Sequence, residues 1–369
     1  MLKQPKHTRD GFLLLAVCGL GDAVAYLPLI RALRQTFPAS PISVVVATEQ
    51  AGDLIQGCID DINILVFNRS RRLSLKEKIA VLLSLRKMRP AVVISGAQAA
   101  SFRVPLLALF SGARVRVGAN FEKCSFLYNR IVQIDPGANV VHKYRRLLSG
   151  VGINMPLDEA TPELSPPACS QETASCLWKQ AGLDSQKRVI GIVSGADTIV
   201  RGNWNPSLKR WNVEGYAQVV KRINSELWCE VVMFGTAAER SIGEDIRTRA
   251  DIPLVNLCGK TTVGELQWML KWCAVLVCND TGAMHLAAAL GTPTVSLFGP
   301  TNPIVFAPLG NHHRVVQGHA PCSPCNSKPT CGLTACLAMD AIRPEDVIHI
   351  LAGTQWGRVS QDSRGTLPA

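Results

Sequence analysis

The sequence predicts an α/β protein made of two open, parallel-sheet domains in tandem. Three observations predict it. Short, continuously apolar runs such as FLLLAV, ISVVVA and AVLVCN alternate with segments of helical period, as expected for parallel strands covered on both faces. The alternation stops at the proline-rich PLDEATPELSPP, residues 156–167, and then restarts, which marks an interdomain linker. A length of 369 residues also exceeds what one ordinary core serves.

FLLLAV reads as the first strand and CGLGD as a tight turn after it. Ala23 to Phe37 carries Leu27, Ile30, Leu33 and Phe37 on one side of a helix, and Pro38 and Pro41 stop it. ISVVVA, INILVF, AVVISG and RVRVGA are further strands, with KEKIAVLLSLRKM a helix among them. Beyond the linker, RVIGIV, CEVVMFG, AVLVCN and PTVSLFG read as strands, and WNVEGYAQVVKRIN, VGELQWMLKWC and GAMHLAAALG as helices. Ile342 to Ala352 forms a last helix with Pro344 in its first turn, and the tail from Gln355 reads as loose. The expected division is 1–165, 166–340, and a terminal helix and tail over 341–369. Ligands of such sheets sit beyond the carboxyl ends of the strands, here in a cleft expected between the two domains.

Composition narrows the class. With 47% hydrophobic and 18% charged residues, the chain is globular. No apolar run approaches the ~20 residues of a membrane span; the stretch from Ala91 to Val117 is broken by Arg103, Arg114 and Arg116. The run FLLLAVC is too short and too soon followed by Asp22 for a signal peptide, so a cytoplasmic location is expected. Of the thirteen cysteines, Cys18, Cys229, Cys258 and Cys278 sit singly in apolar runs and read as reduced core thiols. The net charge of +11 is uneven: residues 1–170 hold 21 Lys and Arg against 12 Asp and Glu, and the remainder 18 against 16. The first half therefore either carries a merely soluble basic surface or faces an acidic partner, whether nucleic acid, an anionic membrane surface or an acidic glycolipid. Few aromatics and no known motif set nucleic acid aside.

The densest motif is CNDTGAMHLAAALGTPTVSLFGPTNP, residues 278–303. A strand ends at Asn279, and Asp280, Thr281 and Gly282 turn into a helix. The exposed N–H groups and dipole of such a helix start favour a phosphate; Asp280 or Thr281 could equally be a plain N-cap. His285 lies one turn inside, the run Ala287 to Ala289 allows close packing on the sheet, and FGPTNP makes a second loop on the same rim.

In this motif the chain resembles the lipopolysaccharide heptosyltransferases, glycosyltransferase family 9, and the resemblance extends over about residues 12–350. It implies the GT-B arrangement of two Rossmann-like domains, and transfer of heptose from ADP-heptose to a lipopolysaccharide core acceptor with inversion. GLGDAVAYLPLIRALRQTFP is similar to the family's N-terminal motif, whose aspartate, here Asp22, is regarded as the general base. Such a carboxylate takes the proton of the attacking hydroxyl; Asp22 could also cap the helix starting at Ala23. SGADTIVRGNWNPSLKRWNVEGY resembles the phosphate-side motif, with Ser194, Gly195 and Ala196 at a strand end and Lys209 favoured over Arg201 and Arg210 as the cation facing the diphosphate. Ser194 and Asn212 both replace the family's usual prolines. VVMFGTAAER implies that Glu239 binds nucleoside hydroxyls; otherwise it is a solvated helix-start glutamate. Asp280, Thr281, Gly282, Ala283, Met284 and His285 complete the donor set, with Asp280 facing sugar hydroxyls. HKYRRLLSGVGI resembles a family segment, in which His142 reads as structural. The implied acceptor is an acidic glycolipid, reached by peripheral contact with the cytoplasmic face of the inner membrane, and the transfer needs no cofactor.

Cys322, Cys325, Cys331 and Cys336 crowd into 15 residues and could hold a structural Zn or Fe, stay reduced, or pair as disulfides. Two rival functions remain. GLGDAV with Glu49 past the second strand suggests a dinucleotide loop, though Val24 stands where a Gly or Ala belongs. The other is a nucleotide-sugar-binding protein without activity. A heptosyltransferase with a protein acceptor is a variant of the main reading.

Overall fold

A computed structural model describes residues 11–16, 19–67, 74–96, 102–155, 161–183, 187–195, 206–325 and 335–353. Two compact units divide between Pro162 and Glu163, slightly ahead of the expected 165/166 boundary. The first unit runs β1 (Gly11–Leu15), α1 (Leu20–Thr36), β2 (Ile42–Val46), α2 (Glu49–Gln56), β3 (Ile62–Val66), α3 (Leu75–Lys87), β4 (Pro90–Ser95), α4 (Arg103–Phe110), β5 (Val115–Ala119), β6 (Arg130–Val132) and α5 (Val140–Arg146). Its sheet is parallel throughout, in the order β3-β2-β1-β4-β5-β6.

The second unit runs α6 (Gln171–Gln180), β7 (Val189–Val193), α7 (Val213–Leu227), β8 (Glu230–Met233), α8 (Arg240–Ala250), β9 (Val255–Asn256), α9 (Val263–Trp272), β10 (Val275–Asn279), α10 (Gly282–Ala289), β11 (Thr294–Phe298), α11 (Pro303–Phe306), β12 (His313–Gln317), α12 (Leu337–Asp340) and α13 (Pro344–Gly353). Its parallel sheet has the order β12-β11-β10-β7-β8-β9. Counted from each unit's first strand, the two orders are the same doubly wound order. It reverses between β1 and β4 in the first unit and between β7 and β10 in the second. Ligands of such sheets bind at these switch points, beyond the strand ends.

The apolar runs behave as expected of central strands: β1, β7, β10 and β11 are buried at every position. Helix starts are fixed by side-chain caps. Ser74 and Glu77 close a capping box on α3, and Thr262 and Glu265 do so on α9. One expectation is corrected: α1 begins at Leu20 with Gly19 as its N-cap, so Asp22 lies inside the first turn and is not the cap. The elements that periodicity did not announce are short, polar or peripheral, such as α2 (EQAGDLIQ), the three-residue β6 and the edge strand β12 (HRVVQ).

The division between the units falls inside the proline-rich stretch 156–167. Residues 156–160 lie outside the described residues, but the rest of the stretch is strapped to the second unit. Leu164 N–H donates to Ala289 O at 2.7 Å, and the Trp268 indole N–H donates to Pro167 O at 2.8 Å. Helix α13 is no separate appendage; Val347, Ile348 and Leu351 lie in the core formed with β7, β10, β11 and α7. Cys229, Cys258 and Cys278 are buried free thiols as expected; Cys18 lies outside the described residues. Among the described residues no helix is long and apolar enough to cross a membrane.

Ile348→Ala should therefore lower the unfolding free energy by about 3 kcal/mol, as for other buried aliphatic truncations. Chemical denaturation of the full chain measures it, and a neutral result would make α13 an appendage.

Candidate functional site

The carboxyl ends of β7 and β10 meet at the second unit's switch point, and there the motifs converge. Asn279, the last residue of β10, is fully buried. Its Nδ2 donates to Ser194 O at 2.8 Å and Gly195 O at 3.0 Å. Its Oδ1 accepts from Trp211 N–H at 3.3 Å and from the Tyr216 hydroxyl at 2.9 Å. A side-chain amide offers two donors and two lone pairs, and all four are used. One polar residue thus binds the turn after β7, the entry to α7 and the end of β10.

Next in sequence, Asp280 is 5% exposed and accepts from Lys209 Nζ at 2.8 Å. Burial pushes the Asp280 carboxyl up, but the Lys209 ammonium, with His285, outweighs it and holds the group below the usual aspartate range. The favoured cation and the expected sugar anchor are therefore one ion pair, with one carboxylate oxygen of Asp280 already engaged. The Lys209 ammonium also lies 6.0 Å from the Phe306 ring centroid.

Thr281 is the N-cap of α10, its hydroxyl oxygen accepting from Ala283 N–H at 3.1 Å, while Met284 N–H donates to Thr281 O. Two of the N–H groups expected to face a phosphate are thus taken by the cap itself. Gly282 starts the helix, His285 is half-buried one turn in, and the Met284 side chain is fully buried.

Glu239 is not the solvated residue that one reading allowed. It is 5% exposed, and its Oε2 accepts from Thr236 N–H at 2.7 Å and Thr236 Oγ1 at 3.0 Å. Its carboxylate lies so close to the Gly195 Cα that any Cβ at 195 would overlap it. The turn after β7 is thereby joined to the turn after β8. Ala196 and Arg201 lie outside the described residues.

In the first unit, Asp22 sits in the first turn of α1, and the Tyr144 hydroxyl of α5 donates to its Oδ1 at 2.8 Å. The Tyr144 ring stacks on Tyr26 at 3.9 Å between centroids. The Tyr26 hydroxyl donates to Ser95 O, and Ser95 Oγ donates to Glu122 Oε2 at 2.7 Å. The Tyr128 hydroxyl reaches the same oxygen at 2.8 Å, and Glu122 Oε1 accepts from Ala119 N–H at 2.9 Å. Burial pushes the Glu122 carboxyl up, against the hydrogen bonds from Ala119, Ser95 and Tyr128. Gly96 leaves no room for a Cβ, which would meet the Tyr26 hydroxyl at 2.7 Å.

Tyr144 and Asn279 are what the sequence reading missed. Their signals were present: a polar residue closing an otherwise apolar strand, and one of only four tyrosines in the chain. His142, read as structural, is half-buried on α5, and its Nδ1 has no hydrogen-bond partner. In the cysteine segment, Cys322, Cys325 and Cys336 are described and Cys331 is not. Among the described residues, no three His, Cys, Asp or Glu side chains are set to hold a metal ion.

The family model described as glycosyltransferase family 9 (heptosyltransferase) matches residues 91–334. The chain belongs to this family. Lipopolysaccharide heptosyltransferase 2 of Escherichia coli K12 is 31% identical over 228 residues, 59% of this chain and 62% of that one. Lipooligosaccharide heptosyltransferase 2 of Haemophilus influenzae is 32% identical over 172 residues, 44% of this chain and 47% of that one. The chain thus matches about half to three-fifths of the length of these relatives. Among solved structures, E. coli ADP-heptose lps heptosyltransferase II superposes with a TM-score of 0.70 at 24% identity, covering 93% of this chain and 98% of that one. A glycosyl transferase family 9 protein from Veillonella parvula gives 0.72 at 20% identity, covering 93% and 96%. The α/β fold of this family 9 member is accordingly that of the GT-B heptosyltransferases.

Removing one partner of a buried ion pair leaves the other uncompensated. Asp280→Asn should destabilise the second unit by about 3 kcal/mol at pH 7. Because the folded carboxyl is held below its unfolded range, this contribution is full above the unfolded pKa of about 3.9 and is lost as pH falls through the folded value. Urea melts of the two proteins between pH 3 and 7 should show the gap closing only at the acid end. A gap independent of pH would remove the ion pair as its source.

Proposed function

We propose that this family 9 member is an inverting glycosyltransferase moving heptose from ADP-heptose to an acidic lipopolysaccharide core acceptor presented at a membrane face. The observation that carries the reading is the convergence on one switch-point rim of the Ser194–Gly195 turn, Lys209, Glu239, Asp280 and the start of α10. The names of the related structures and of the relatives support the donor and acceptor classes.

In this reading the second unit binds the donor. The N-terminal end of α10 carries positive dipole charge beside the diphosphate. Lys209, aimed by Asp280, balances the charge that develops on the leaving ADP. The remaining lone pairs of Asp280 accept from sugar hydroxyls, and Glu239 accepts from the nucleoside. The first unit binds the acceptor, and Asp22 is the general base. The acceptor oxygen forms a bond to the anomeric carbon while its proton passes to the Asp22 carboxylate. The bond from that carbon to the diphosphate breaks, and the electron pair leaves with ADP. Tyr144 is a positioning residue; its hydroxyl fixes the orientation of the Asp22 carboxylate. No cofactor is assigned a step in this transfer.

Incubation with ADP-heptose and heptose-deficient lipopolysaccharide, followed by ADP release and product mass, tests the proposal. Asp22→Asn should bind ADP-heptose unchanged in calorimetry and lose on the order of a thousandfold in turnover. Wild-type protein that neither transfers heptose nor hydrolyses the donor, or that binds NAD in preference to ADP, would overturn the reading. Tyr144→Phe should lower kcat about tenfold with donor KM unchanged, and should cost nothing further in the Asp22→Asn background. Additive losses would separate Tyr144 from Asp22.

A further inference from the structure

An aromatic ring stands beside the Lys209–Asp280 pair with no part in the transfer described above. Phe306 ends α11, in the loop between β11 and β12. The local chain fixes it there. Asn302 caps the turn, its Oδ1 accepting from Ile304 N–H at 3.0 Å. Phe306 N–H donates to Asn302 O at 3.1 Å, and Ala307 N–H to Pro303 O at 2.8 Å. Val305 is buried and Ile304 exposed, so Val305 supplies the turn's apolar anchor. Phe306 itself is half-buried. The Lys209 ammonium lies over its ring, 6.0 Å from the centroid, and donates to Asp280 Oδ2 at 2.8 Å.

The two groups hold the ammonium in different ways. An ammonium carries three N–H donors. Asp280 takes one, in the only hydrogen bond of the Lys209 side chain among the described residues. An aromatic face attracts the positive charge through its quadrupole and has no lone pair on a heteroatom to claim a second donor. A second carboxylate in the ring's place would take that donor and cancel the charge that an anionic ligand needs. Burial strengthens the attraction. The Lys209 side chain is 18% exposed, whereas the cation in each of the other ion pairs between described residues is at least 34% exposed. Cation–ring attraction grows as the cation loses water. An aliphatic side chain of similar bulk would pack on the turn, but it would not attract the ammonium.

We propose that Phe306 is a positioning residue for the donor diphosphate, acting through Lys209. Its ring keeps the ammonium at the rim while two of the three N–H donors stay available to phosphate oxygens. The inference rests on the transfer reading, in which Lys209 faces the diphosphate.

Calorimetry of the full chain with ADP, alongside kinetics with ADP-heptose, tests it. Phe306→Leu should weaken ADP binding about fivefold, and kcat/KM for ADP-heptose should fall by about the same factor. Phe306→Tyr keeps the ring and should stay within about twofold of the wild type. Lys209→Gln keeps a donor for Asp280 and removes the charge; in that background Phe306→Leu should cost nothing further. Phe306→Met provides the same comparison should Phe306→Leu fail to fold. A ring that only packs would give equal losses in both backgrounds, and that result would overturn the inference. So would ADP binding left unchanged by Phe306→Leu, or a Phe306→Tyr variant as weak as the leucine one. A wild-type chain that binds no ADP would remove the transfer reading and this inference with it, whereas normal wild-type binding with any of the former results removes the inference alone.

Discussion

The side-chain amide of Asn279 governs the geometry of the second unit's rim. Three segments far apart in sequence end at this point: the turn after β7, the approach to α7 and the end of β10. The first two are not held by regular secondary structure there, and each brings a polar group into the buried rim. A buried amide with all four hydrogen bonds made satisfies them together. Neighbouring features depend on this joint. Gly195 is set where its bare Cα admits the Glu239 carboxylate, and Lys209, just before Trp211, is set within reach of Asp280.

The first unit solves a similar problem with tyrosines. All four tyrosine hydroxyls of the chain make hydrogen bonds near strand ends, three in the first unit and one in the second. Each ring is buried apolar bulk while its hydroxyl serves the polar rim, a combination few other side chains offer. The stacked Tyr26–Tyr144 pair joins α1 to α5 and carries the arrangement from Asp22 toward Ser95 and Glu122.

Much of the fold was legible because buried parallel strands are written as uninterrupted apolar runs, and nine of the twelve strands among the described residues are close to such runs. Edge strands β6 and β12 and the two-residue β9 escaped, since half-exposed or very short pairing leaves no periodic signal. Parts of the candidate site were legible for a different reason: Asp22, Asp280 and Lys209 lie within the segments that carry the family resemblance. The pairing of Lys209 with Asp280 and of Tyr144 with Asp22 was not legible. It depends on contacts 71 and 122 residues apart in sequence, which local spacing does not encode. The reading of Glu239 as either ligand or solvated residue left out the third arrangement, a buried carboxylate closing its own turn.

The shared strand order has a consequence for the order of synthesis. A doubly wound sheet brings the ends of its first and fourth strands together, so each rim is complete only when the fourth strand and the turn after it have been made. For the first rim, Asp22 gains its partner once Tyr144 has left the ribosome. The second rim must wait for Asn279 and Asp280, because Ser194, Lys209 and Glu239 emerge earlier with no amide to organise them. A nascent chain stalled between these points would carry a finished first rim and a second one whose buried polar groups lack their partners, and such half-assembled surfaces are the ones chaperones hold.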